Sequence, residues 1–104
     1  MKLKKQLNRL LLLVGTLMLS PTIYANTPEQ IYQKTCGVCH ANGVANAPKK
    51  GDKAQWQIRL DQRGIEGLYL SAIEGRNAMP PKGLCGECTD DQIKQVVDYL
   101  ISEK

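Results

Sequence analysis

Between residues 90 and 101 the apolar positions Ile93, Val96, Val97, Leu100 and Ile101 recur at steps of three and four, which places them along one side of a helix. Thr89 stands before this stripe and Gln92 three residues after Thr89, the pairing that caps a helix start through reciprocal hydrogen bonds. Ile65, Leu68, Tyr69, Ala72 and Ile73 repeat the same periodicity and predict a helix over Ile65–Glu74, closed by Gly75. Upstream, Trp56 and Leu60 lie four apart and predict a helix that starts near Asp52 and stops at Gly64 in a left-handed conformation. A first helix from Pro28 to about Cys36 has Thr27 as its N-cap, Pro28 at the first helical position and Gln30 reaching back. No alternating strand pattern and no internal repeat interrupts this series. The expected fold class is all-α, about four helices, with loops over Ala41–Gly51 and Arg76–Cys88 where Gly, Pro and Asn collect.

The amino terminus has a different composition. Lys2, Lys4, Lys5 and Arg9 precede an apolar run from Leu10 to Leu19, the length of a signal-peptide core and too short to span a bilayer. Ser20 and Pro21 break the run and Ala25 offers a small residue at a cleavage point, so residues 1–25 are expected to be a signal peptide and residues 26–104 a single exported domain. An uncleaved anchor is the alternative, but no apolar stretch reaches about 18 residues.

Cleavage changes the charge. The full chain carries a formal +4, with 14 basic and 10 acidic residues, yet four of the basic ones lie in residues 1–25 and none of the acidic ones do. The remainder is formally neutral, which gives no reason to expect nucleic acid as a partner. Those residues are also few for a self-sufficient core, with no Phe and one Trp. Ordering a chain costs about 1.5 kcal/mol per residue, and a buried prosthetic group would supply the missing apolar volume.

Cys36, Cys39 and His40 form a CxxCH sequence, the spacing of c-type haem attachment: each thiol adds to one vinyl group and the adjacent imidazole faces the iron. His40 is the single His of the chain, and once Met1 and Met18 leave with the signal segment Met79 is the single Met. Pro80 and Pro81 follow it and restrict the backbone around its thioether. His40 and Met79 are therefore the candidate axial ligands of one covalently bound haem c.

With these motifs the chain resembles the class I cytochromes c, and among them the cytochrome c5 subgroup. The resemblance rests on Cys36 to His40, Ala47-Pro48, Gly51-Asp52, Trp56, the stretch Ala78 to Gly83, and the pair Cys85 and Cys88. It implies that the Pro48 carbonyl accepts the imidazole N–H of His40, that Trp56 lies against the haem with its N–H aimed at a propionate, and that Cys85 and Cys88 form a disulfide. Plain core packing is the other reading of Trp56, and a redox-active dithiol that of the cysteine pair.

Iron held by the porphyrin, His40 and Met79 has no vacant position, so the expected function is electron transfer and not catalysis: a periplasmic one-electron carrier between respiratory proteins, docking transiently and staying out of the membrane. Two rivals are a zinc module built from Cys36, Cys39, Cys85 and Cys88, and a five-coordinate haem that serves as sensor or weak peroxidase. Lys49, Lys50, Lys53, Arg59 and Lys82 are either docking charges or simply solvated ones.

Overall fold

The computed structural model describes residues 26–104, and the expected signal peptide lies outside the described residues. Helix α1 (Pro28–Ile31) opens on the expected cap: Gln30 N donates to Thr27 Oγ1 at 3.2 Å and Thr27 N donates to Gln30 Oε1 at 3.0 Å. The helix does not end at Cys36. A π-helical stretch, Tyr32–Cys36, carries it into α2 (Gly37–His40), so the whole CxxCH sequence is helical. Within that stretch the Thr35 hydroxyl donates to the Ile31 carbonyl at 2.9 Å, a side-chain bond of the kind that bends a helical ladder.

Helix α3 (Lys53–Glu74) is capped by Asp52, whose carboxylate accepts from Gln55 N at 3.2 Å. It is broken where the sequence predicts, at Gly64, with φ 67° and ψ 172°. This is not the left-handed helical conformation expected of a helix end. It is an extended backbone of positive φ, open essentially to glycine alone, and the second helical half resumes directly after it. Helix α4 (Asp90–Ile101) repeats the capping box at Thr89 and Gln92. The two intervening loops each contain one 3₁₀ turn, Val44–Asn46 and Pro81–Leu84.

Helix α4 is the centre of the molecule, and α1 and α3 both pack on it. Ile93, Val96, Val97 and Leu100 bury the predicted stripe against Ile31, Trp56, Leu68 and Ala72. Each such side chain contributes roughly 1.5–3 kcal/mol on leaving water. Polar ties fix the register of the layers: the Tyr69 hydroxyl donates to Asp98 at 2.6 Å across α3 and α4, and Gly51 N donates to the Leu100 carbonyl at 2.8 Å. Among the described residues no helix is long and apolar enough to cross a membrane.

Candidate haem site

One cavity of about 730 Å³ lies between α2, the loop after it, α3, the Met79 turn and α4. Cys36, Cys39, His40, Pro48, Trp56 and Met79 all line it, so residues as far apart in sequence as Cys36 and Met79 meet around a single space. Its inner wall is apolar, from Leu68, Ala72, Ile93, Val96, Val97 and Leu100.

His40 is buried, with 7% of its surface exposed. Its Nδ1 lies 2.8 Å from the Pro48 carbonyl, which fixes Nδ1 as the protonated nitrogen and leaves Nε2 as the lone-pair donor. Nε2 has no protein hydrogen bond, while no fully buried side-chain N or O among the described residues lacks a partner; Nε2 therefore keeps its surface in the cavity. A free imidazole donor, two thiols and a thioether around an apolar space match the donor set that a c-type haem requires. The Cys36 thiol is buried, with Thr35 Oγ1 at 3.4 Å from its sulfur, and burial pushes its pKa up against the lowering effect of that contact.

Met79 sits at the end of a tight turn closed by reciprocal backbone bonds with Arg76, at 3.0 and 2.9 Å. Gly75 makes that turn possible. At its φ of 84°, a Cβ would lie 2.8 Å from the Met79 carbonyl oxygen and 2.9 Å from Pro81 N. Downstream, Lys82 Nζ donates to the Cys88 carbonyl at 2.8 Å and lies 3.4 Å from Asp90, so this cation is tied to the start of α4 and is not a free surface charge.

Trp56 lines the cavity beside His40. Its ring is buried and stacked on His40, with centroids 5.9 Å apart and planes at 22°, but its indole N–H donates to the Lys49 carbonyl at 2.8 Å. That donor has a backbone acceptor within the protein. Cys85 and Cys88 are outside the cavity lining and are joined by a disulfide. Zinc held by four thiolates is overturned by that bond, and no group of three or more metal-binding side chains of His, Cys, Asp or Glu exists among the described residues. What the sequence did not single out as a group are the cations of the lining, Lys34, Arg59, Arg63, Arg76 and Lys82, which have no common spacing and meet only through the fold.

Comparison with known proteins agrees with this geometry. Residues 24–100 match the family model described as cytochrome c oxidase, cbb3-type, subunit III. The chain is 43% identical over 77 residues to cytochrome c5 of Azotobacter vinelandii, covering 73% of this chain and 93% of that one. It is 46% identical over 77 residues to cytochrome c5 of Ectopseudomonas mendocina, covering 73% and 88%. A chain from the crystal structure of an electron-transfer complex of nitrite reductase with cytochrome c superposes with a TM-score of 0.66 at 38% identity, over 76% of this chain and 95% of that one.

The chain belongs to the class I c-type cytochromes, in the cytochrome c5 subgroup. It carries one covalently bound haem c and is an electron-transfer protein, not an enzyme.

Proposed function

We propose that this chain is an exported, periplasmic one-electron carrier in which Cys36 and Cys39 hold the haem covalently and His40 and Met79 are its axial ligands. The observation that carries this reading is the meeting of the single His and the single Met of residues 26–104 at one apolar cavity beside both free thiols. When bound, the haem supplies an iron that alternates between ferric and ferrous states. The protein's part is to hold, shield and tune it. Pro48 fixes the ring of His40 and strengthens its donation through the Nδ1–H bond, while the thioether of Met79 favours the reduced state. The buried side chains of α4 limit water access and act in the same direction.

Residues 1–25 are proposed to direct export and to be removed, leaving residues 26–104 as the working domain. Partners would be redox proteins in brief complexes. The electron-transfer complex of a similar cytochrome with nitrite reductase supports this class of partner, as does an apolar rim of Val38, Val44, Ile58 and Leu84, exposed by 71, 50, 49 and 79% beside the cavity. Small interfaces of this kind release quickly.

Absorption spectra of the exported protein test the reading. A low-spin c-type spectrum whose reduced form does not bind carbon monoxide is the expected result. Ready binding of carbon monoxide would show an open iron position and replace the carrier with a ligand-binding sensor or weak peroxidase.

A further inference from the structure

The turn that follows Met79 is strained. Lys82, Gly83 and Leu84 succeed one another with φ of 56°, 58° and 72°, a left-handed backbone that side-chain-bearing residues visit singly and seldom in runs. Such a run persists only where its surroundings hold it. Gly83 has no side chain to pack, and Leu84 is 79% exposed. Two backbone bonds, Gly83 N to the Pro80 carbonyl at 3.1 Å and Cys85 N to the Lys82 carbonyl at 3.0 Å, close the turn on itself without attaching it to another element.

Cys85 anchors the far end through its disulfide to Cys88. On the Met79 side the attachment is Lys82, whose side chain is 28% exposed and whose Nζ donates to the Cys88 carbonyl at 2.8 Å and lies 3.4 Å from Asp90. The acceptor has a rigid support: Cys88 is buried, its N–H donates to the Cys85 carbonyl at 3.1 Å, and the next residue, Thr89, caps α4. The N-terminal end of a helix repels a cation, so the helix dipole does not draw the ammonium there. The Cys88 carbonyl does, and the carboxylate of Asp90 offsets the charge.

We infer that Lys82 is a positioning residue for Met79: its bond to the Cys88 carbonyl fixes the turn after Met79 and so holds the thioether at the cavity. The inference rests on the proposed ligation by Met79. Without the bond, Lys82 to Leu84 relax towards ordinary backbone, and Pro80 moves with them because its carbonyl is bonded to Gly83 N. The ammonium acts through the backbone.

Lys82→Met tests this in the ferric holoprotein, because it keeps an unbranched stem and deletes the donor. Its far-red band is weaker than in wild type, and imidazole, which reaches the iron where Met79 leaves, binds about tenfold more tightly. Lys82→Arg restores most of both. Asp90→Asn keeps the carbonyl bond and stays within about twofold of wild type in imidazole affinity, since an exposed ion pair contributes little. Exchange of the Gly83 and Cys85 amides, whose bonds close the turn, speeds up about tenfold in Lys82→Met. A band and an imidazole affinity unchanged in Lys82→Met overturn the inference, even if the melting temperature falls, because the tie would then be structural only. Equal effects of Asp90→Asn and Lys82→Met also overturn it. Lys82→Gln, shorter and neutral, decides by the same readouts if Lys82→Met does not accumulate. A wild type without the band would overturn Met79 ligation, and the amide exchange would then decide by itself whether Lys82 holds the turn.

Discussion

The indole N–H of Trp56 donates to the carbonyl of Lys49 at 2.8 Å, one residue along from the Pro48 carbonyl that accepts from His40 at the same distance. Lys50 N completes the set by donating to the His40 carbonyl at 2.9 Å. Three consecutive residues of one loop are thus fastened to the imidazole, to the backbone beneath it and to the indole stacked beside it. The orientation of His40 is a property of this clamp.

Trp56→Phe keeps the stacked ring and deletes the donor, which leaves the Lys49 carbonyl without its partner. The expected cost is about 1–3 kcal/mol, measured as a lower urea midpoint. An unchanged midpoint would show that the Lys49 carbonyl does not depend on this donor.

Gly75→Ala puts a Cβ 2.8 Å from the Met79 carbonyl oxygen at a φ of 84°. Strained backbone of this type costs about 1–3 kcal/mol, and relief requires the Met79 turn to move. Thermal melting should fall and the far-red ferric band should weaken together. A fall in stability with an intact band would mean that the turn and the ligand are independent.

Tyr69→Phe removes the hydroxyl that donates to Asp98 between α3 and α4 and should cost about 1–2 kcal/mol. The Asp98 bond, followed by burial and by the charges of Asp98 and Glu66, raises the Tyr69 pKa to about 12 from 10.0. Because the folded value lies above the unfolded one, this stabilisation is complete below pH 10 and is lost as the pH rises towards 12. Urea titrations at pH 8 and 11 should show the wild-type advantage over Tyr69→Phe shrinking. An advantage that persists undiminished would contradict the bond.

Much of this architecture was legible in the chain because its signals are local. Capping pairs three residues apart, a stripe at helical spacing and a glycine at a helix break each act within a few residues, and Thr27, Thr89 and Gly64 behave accordingly. The continuation of the first helix to His40 was hidden because a π-helical stretch shifts the periodicity on which a boundary is read. The acceptor of Trp56 was hidden for another reason: it is a backbone carbonyl, which no side-chain pattern marks. Of the cations at the cavity only Arg59 and Lys82 were in view, as isolated charges, and only the break at Gly64 and the Met79 turn bring Arg63 and Arg76 to the same space.

The most direct test of the account is the ferric absorption spectrum of the exported protein with and without Met79→Ala. Ligation by His40 and Met79 predicts a weak far-red band in the wild type that is absent from the variant, together with carbon monoxide binding gained on reduction of the variant. A band that survives the substitution, or a wild-type protein that lacks it and binds carbon monoxide as readily as the variant, would contradict the central claim.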